Sequence, residues 1–327
     1  MKMYDDQLIV VTGAAGFIGS AVVKHLNDQG MRNIVIIDDL GTTDKWKNLV
    51  GKQYVDIIPI SQCFDWLQDR ESDIEAFIHL GACSSTVERD ADFLLENNYR
   101  FTIRLAEYAL HNDHRFIYAS SAATYGDGLK GFSDHHDLLE ELQPLNMYGY
   151  SKQMVDLWMK DQGVLDKVVG LKYFNVFGPN EFHKERMASA ITHILPTAQK
   201  EGVVRLFKSN DPDNFSDGEQ KRDFLYVKDC AKMTCSFLEN DAGGIFNIGS
   251  GNASSWNQLA NAVFKALDKP ANIEYFEMPG DLHGKYQNYT CAEMQKAKDA
   301  LKDASTRPLE ETVIEYVQQY LLPEKTW

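Results

Sequence analysis

Leu8-Ile9-Val10-Val11-Thr12-Gly13-Ala14-Ala15-Gly16-Phe17-Ile18-Gly19 is an apolar run that breaks into three glycines spaced three apart and resumes with a helical period at Ile18, Val22, Val23 and Leu26. A buried strand that ends in a tight turn and feeds a helix lets a pyrophosphate approach the backbone closely and meet the free N–H groups of the helix N-terminus. Gly13, Gly16 and Gly19 suit those tasks. Their spacing is G-x-x-G-x-x-G, a variant of the common G-x-G-x-x-G fingerprint. Three glycines alone also describe a plain strand-turn-helix. The second apolar run, Ile34–Ile37, ends at Asp38-Asp39 and turns the reading into a dinucleotide site, because acidic groups there accept hydrogen bonds from a ribose.

Working outward, strand-like runs at Leu8–Val11, Ile34–Ile37, Val55–Ile58, Ala76–Leu80, Phe116–Ala119 and Val168–Tyr173 alternate with helical patterns near Ser20–Gln29, Asn98–His111 and Tyr148–Lys160. That rhythm predicts an α/β fold, a doubly wound parallel sheet of Rossmann type. After Tyr173 the rhythm changes. Gly178-Pro179-Asn180 marks a turn, the polar stretch Ser209 to Gln220 a loop, and Gly244–Gly249 a strand that returns to the sheet. The expected division is therefore interleaved, with residues 1–175 and 224–250 binding the dinucleotide and 176–223 and 251–327 forming a smaller α/β substrate domain.

A net charge of −15 over 327 residues argues against nucleic acid or an anionic membrane surface as partner, since both demand clustered Lys and Arg. The five cysteines, Cys63, Cys83, Cys230, Cys235 and Cys291, form no C-x-x-C and no zinc-ligand spacing, so no metal is expected and a reduced cytoplasm fits. The first residues lack a basic stretch before an apolar core, and no apolar run is long enough for a membrane span. A soluble, unexported protein is expected.

Tyr148 and Lys152 stand at Tyr-x-x-x-Lys spacing, on one face of a predicted helix. A phenol is a poor base at neutral pH, and an ammonium one turn away, together with a positive nicotinamide ring, would lower its pKa. Tyr118-Ala119-Ser120-Ser121-Ala122-Ala123-Thr124-Tyr125-Gly126 follows the fifth strand, at the sheet's carboxyl end where α/β ligands bind, and Ser121 is the hydroxyl best set to bond a reacting oxygen.

The glycine turn, this serine and Tyr-x-x-x-Lys together resemble the extended short-chain dehydrogenase/reductase family, which includes nucleotide-sugar epimerases and dehydratases. The resemblance covers nearly the whole chain. Family 4,6-dehydratases carry Asp-Glu just after the serine position, where this chain has Ala122-Ala123, so dehydration is disfavoured. Gly81 to Thr86, Asn97-Asn98-Tyr99, Leu145 to Lys152, Tyr173 to Pro179, His183-Lys184, Met187 to Ser189, Lys221 to Phe224 and Lys285 to Gln287 are similar to a branch that inverts an exocyclic sugar carbon.

That resemblance implies an isomerase that oxidises and re-reduces its nucleotide-sugar on a tightly held nicotinamide cofactor. It implies Tyr148 and Lys184 as two acid/base groups, Ser121 in support, and Lys152 also bonding the nicotinamide ribose. A lysine base needs a lowered pKa, for which His183, Arg186 and the cofactor ring are the expected perturbers. Lys184 has the alternative of merely pairing with phosphate. The implied cofactor set is Gly13, Gly16, Phe17, Ile18, Gly19, Asp38, Asp39, Lys45, Leu80, Gly81, Ala82, Cys83, Ser84, Asn97, Lys152, Val176 and Lys184. Asp38-Asp39 alone predicts NAD. The resemblance implies NADP, with Lys45 at the matching place.

For the substrate, Arg222 can grip a diphosphate bidentately. The alternative is a structural pair with Asp223 or Asp229. Asn175, His193 and Tyr286 resemble sugar and phosphate contacts, although His193 also reads as an ordinary helix histidine. Phe207 to Asn210 would flank the nucleotide. Lys208-Ser209-Asn210 and Arg186 depart from the family's usual residues. Cys83 reads more simply as a small buried residue than as a nucleophile, His135-His136 as a solvated turn, and Leu309 to Tyr320 as an amphipathic helix. The resemblance further implies a homo-oligomer and a place in making precursors of a bacterial lipopolysaccharide core.

Overall fold

The computed structural model describes residues 7–280 and 286–327, so Lys285 of the resembling stretch lies outside the described residues. Six strands alternate with helices through the first half: β1 Leu8–Thr12, β2 Ile34–Ile37, β3 Asp56–Ile58, β4 Ile74–His79, β5 Arg115–Ser121 and β6 Val168–Tyr173. Six more follow: β7 Asn175–Phe177, β8 Val204–Phe207, β9 Lys221–Tyr226, β10 Gly244–Ile248, β11 Ala253–Ser255 and β12 Ile273–Phe276. Seven of them form one sheet in the order β10-β6-β5-β4-β1-β2-β3. Every pairing in it is parallel. The chain leaves β1 toward β2 on one side and returns to β4 on the other, which opens a crevice at the carboxyl ends of β1 and β4.

Both faces of this sheet are covered, which is why its strands read as unbroken apolar runs. Ile9, Val11 and Ile36 pack on one layer with Val22 and Leu26 of the helix Phe17–Asp28 and with Cys230 and Met233 of the helix Val227–Ser236. Val10, Phe77 and Phe116 pack on the other with Leu105, Ala106, Val155 and Met159. A second core gathers Phe177, Leu195, Val204, Leu206, Leu259, Phe264 and Tyr316 around two small sheets, β11-β9-β7 and β12-β8.

Some boundaries differ from the sequence expectation. Val55 is 61% exposed and precedes β3. The helix expected from Asn98 begins at Ala91, where the Asp90 carboxylate caps it by accepting from the Phe93 N–H at 2.9 Å, and it widens into a π turn over Leu95–Arg100. His136 is not in a solvated turn. Its Nε2 accepts from the Ile245 N–H at 3.0 Å, the Asp134 carboxylate accepts from the Asn247 N–H at 2.8 Å, and Lys296 donates to the Ile245 carbonyl at 2.8 Å. These groups close the outer edge of β10, which a parallel sheet would otherwise leave unpaired. Burial, aided by the Lys296 charge, pulls the His136 pKa down to about 4. No helix among the described residues is long and apolar enough to cross a membrane.

Candidate active site

A cleft of about 720 Å³ opens over the glycine turn. Gly13 has φ +67°, and a Cβ there would lie 2.6 Å from Gly81 Cα, so the loops after β1 and β4 touch backbone to backbone. A Cβ on Gly19 would lie 2.2 Å from the Gly13 carbonyl oxygen, which ties the first helix against the turn. Gly16 stands at that helix's N-cap with no side-chain cap, and no acidic residue occupies the first turn. The N-terminal amides and the positive end of the dipole are thus left for an anionic ligand. A pyrophosphate fits this cradle.

Phe17, Ile18, Leu80, Gly81, Ala82, Cys83, Ser84, Asn97 and Val176 line the same cleft. At its far side Asp38, 5% exposed, accepts from the Ala15 N–H at 2.8 Å and pairs with Lys45 at 2.7 Å. Asp39 stands outside, exposed, its carboxylate accepting from the Ile60 N–H at 3.0 Å.

Ser121, Tyr148 and Lys152 converge on the cleft from two elements. Ser121 ends β5, where its Oγ accepts from the Ala123 N–H at 3.1 Å and its carbonyl from the Thr124 hydroxyl at 2.8 Å. The helix Met147–Asp161 is capped by Asn146, whose side chain accepts from the Gly149 N–H at 2.8 Å. A Cβ at Gly149 would lie 2.7 Å from the Ala123 carbonyl oxygen. That missing side chain lets the helix carry Tyr148 up to the Ser121 turn. Burial pushes the Tyr148 phenol up and the Ser121 hydroxyl pulls it down. Lys152 is not among the protein groups that shift this phenol. Lys152 is 3% exposed and makes no ion pair or hydrogen bond with the described residues, and burial lowers its pKa to about 8.

Lys184 enters the cleft from the segment Phe182–Met187, its ammonium 5.6 Å above the Phe17 ring. Its pKa is lowered by burial, with Glu181 opposing. Neither His183 nor Arg186 acts as the expected perturber. His183 is itself pulled to about 4 by burial and by the Lys184 and Lys45 charges, and Arg186 is exposed outside the cleft. Glu185, between Lys184 and Arg186, takes φ +47°, a conformation that turns the chain sharply beside the lysine.

Asn175 on β7 lines the cleft. A second cluster lies on the smaller unit. The Arg222 guanidinium sits 4.8 Å from the Tyr286 ring and 5.7 Å from the Trp256 ring, and Phe207 meets Tyr286 edge-on at 6.4 Å. Arg222 is 7% exposed and donates to its neighbour's carbonyl, at Lys221. The structural pairing is ruled out: Asp223 accepts from Ser250, Gly251 and Ala292, and Asp229 pairs with Arg307. A buried guanidinium framed by aromatic rings and free of a carboxylate among the described residues can hold an anion. Lys208 pairs with Glu277 at 2.6 Å, the Ser209 N–H bonds Asp217 at 2.8 Å, and Asn210 is exposed. His193 is exposed on the helix Ala190–Lys200, away from the cleft.

Two supports of the site were given no role by the sequence reading, although Asn98 lies in the resembling stretch Asn97-Asn98-Tyr99. His79 is buried between Thr12 (2.6 Å) and Thr102 (2.8 Å), and Thr12 Oγ1 accepts from the Gly81 N–H at 3.0 Å. Asn98, in the π turn, bonds both the N–H and the carbonyl of Cys83 and reaches Ser151, whose hydroxyl donates to the Tyr148 carbonyl. No cluster of metal-ligating side chains occurs among the described residues.

Residues 9–249 match the family model described as the NAD dependent epimerase/dehydratase family. The chain belongs to that family. The matched span takes in the glycine turn, Ser121, Tyr148, Lys152 and Lys184. The chain is 50% identical over 317 residues to the ADP-L-glycero-D-manno-heptose-6-epimerase of Nitratidesulfovibrio vulgaris strain DP4, covering 96% of this chain and 98% of that relative. Among solved structures of similar fold, the Helicobacter pylori ADP-L-glycero-D-manno-heptose-6-epimerase superposes with a TM-score of 0.80 at 27% identity over 96% of both chains. A UDP-glucuronic acid 4-epimerase from Bacillus cereus, solved with UDP-glucuronic acid and NAD, gives 0.73 at 25% identity over 96% of this chain and 99% of that one.

Proposed function

We propose that this protein is an ADP-heptose epimerase that interconverts ADP-D-glycero-D-manno-heptose and ADP-L-glycero-D-manno-heptose by inverting C6. The observation that carries this reading is the 50% identity over almost the whole chain to a relative of that name. The meeting of Tyr148 and Lys184 in one cleft supports it.

Gly13, Gly16 and Gly19 would hold a nicotinamide dinucleotide, which would supply the hydride acceptor and then the donor, so that the sugar is inverted with no net redox change. Tyr148 takes the proton from the C6 hydroxyl, with Ser121 donating a hydrogen bond to the same oxygen. Inversion requires the resulting ketone to present its other face, and its oxygen then needs an acid at a second position. Lys184 fills that role, since it comes from a different element and burial makes its ammonium give up the proton more readily. Lys152 holds the nicotinamide ribose. Arg222, framed by Tyr286 and Trp256, grips the diphosphate, with Asn175 on the sugar and Phe207 beside the nucleotide.

The cofactor in this reading is NADP. Lys45 neutralises Asp38 at 2.7 Å and stands ready to receive a 2′-phosphate that the carboxylate alone would repel. Identifying the dinucleotide released on denaturation tests this: NADP is expected, NAD alone overturns it, and Lys45→Ala should shift preference toward NAD. In the same reading residues 1–175 and 224–250 serve the cofactor and the remainder the substrate. A homo-oligomer in the cytoplasm that supplies a lipopolysaccharide-core precursor completes it, and the five free cysteines fit that compartment. The decisive experiment incubates the protein with ADP-D-glycero-D-manno-heptose and follows C6 by NMR. Inversion is expected, and an unchanged C6 with cofactor bound would turn the reading toward a nucleotide-sugar C4 epimerase or reductase.

A further inference from the structure

Lys172 is the charged residue of β6, VVGLKY, and it is 0% exposed. It pairs in register with Ser120, one residue before Ser121, yet it does not line the cleft. Its ammonium reaches three partners from three directions. It lies 2.9 Å from the Asp156 carboxylate on the helix of Tyr148 and Lys152, 2.5 Å from the Thr124 hydroxyl in the turn after β5, and 4.9 Å from the Tyr125 ring. Thr124 in turn donates to the Ser121 carbonyl at 2.8 Å. Asp156 also accepts from the Tyr118 phenol at 3.0 Å and the Ser120 hydroxyl at 2.7 Å. The Tyr118 ring lies where a side chain at position 170 would stand: a Cβ on Gly170 would lie 2.5 Å from its oxygen.

A wholly buried ion pair is poor evidence for stability, because desolvation offsets most of its attraction and apolar replacements of similar volume are often as stable. What such a pair does well is hold elements at one mutual position. We propose that Lys172 is a positioning residue for the reaction, clamping the Ser121 turn to the helix that carries Tyr148 and Lys152. It acts through Thr124 on Ser121 and through Asp156 on the helix, and touches neither substrate nor cofactor. The proposal rests on the epimerase reading above.

The test compares Lys172→Met and Thr124→Val with the unaltered protein. Lys172→Met keeps the length and removes the charge; Thr124→Val removes the hydroxyl link and leaves Lys172 and Asp156 in place. Displacing reacting groups by an ångström costs on the order of 100-fold in rate, so kcat for C6 inversion should fall about 10- to 100-fold in each. KM and the content of bound cofactor should stay within about twofold, and the double variant should lose no more than Lys172→Met alone, since both cut one path. Unchanged kcat in folded Lys172→Met and Thr124→Val overturns the proposal, as does a parallel loss of bound cofactor, which would mark a general structural role. If Lys172→Met fails to fold, Thr124→Val alone decides by the same split. An unaltered protein that does not invert C6 overturns the epimerase reading and this proposal with it, an outcome distinct from active parent and unaffected variants.

Discussion

Burial disfavours the charged forms of both Tyr148 and Lys184, so the phenol's pKa rises and the ammonium's falls. Burial keeps the phenol protonated more strongly than usual, while burial of the ammonium makes Lys184 give up its proton more readily. Lys184→Met should therefore lose about 10²- to 10⁴-fold in kcat with cofactor still bound. Because the lysine pKa is lowered, the fall in activity as rising pH removes the ammonium acid should set in below the ordinary lysine range, and this limb should vanish in the variant. Near-full epimerisation by Lys184→Met would leave it only the task of pairing with phosphate. His79 governs stability instead. Burial pulls its pKa to about 3, below the unfolded value of about 6.5, so the unfolded chain binds the proton first as pH falls. Its contribution is complete above pH 6.5 and is lost between there and pH 3. In urea unfolding, the stability gap between the parent and His79→Gln should narrow by about 2 kcal/mol from pH 7 to pH 5. A gap independent of pH would show that the ring is protonated in place.

At the scale of elements, the site depends on close backbone approaches that side chains would block. Gly149 is the sharpest case, because alanine in a helix interior ordinarily stabilises by about 0.5 to 1 kcal/mol over glycine. Here its Cβ would lie 2.7 Å from the Ala123 carbonyl oxygen, closer than real Cβ contacts allow. The clash opposes the propensity gain, so Gly149→Ala should change the melting temperature little while pushing the Tyr148 helix off the Ser121 turn and lowering kcat at least tenfold. An unimpaired kcat would mean the turn gives way freely. Segment 182–187 shows the same dependence on local geometry: the sharp turn at Glu185 follows directly on the catalytic candidate Lys184.

For the molecule as a whole, a cofactor held at the crevice between β1 and β4 couples binding to stability. Adding NADP at 100 times its Kd to cofactor-stripped protein should raise the unfolding free energy by about 2.7 kcal/mol. The gain should persist in Tyr148→Phe, which keeps the glycine turn, and should shrink in Lys45→Ala. An equal gain with NAD would remove the role given to Lys45. The net charge of −15 makes the clustered cations of the cleft and of Arg222 local exceptions, so in the proposed reading anionic ligands are held by these residues and not by the field of the whole surface.

Much of this was legible in the chain itself. The alternation of parallel strands and helices, the glycine turn, and the residues Ser121, Tyr148 and Lys152 follow from short-range patterns: apolar runs buried on both faces, a turn only glycine permits, and a helical spacing of four; Lys184 was legible only through the family resemblance. The edge role of His136, the exposure of His193 and Arg186 and the outward turn of Asp39 do not follow from such patterns, because each depends on which distant segment packs beside it. The same holds for Arg222. Its sequence neighbourhood offers Asp223 and Asp229 equally well as partners, and only the packed structure commits those carboxylates elsewhere and leaves the guanidinium among aromatic rings. Local propensity and spacing determined the elements and the chemistry they carry; desolvation and long-range partner choice, which exist only once the chain is folded, decided the charge states and the supports.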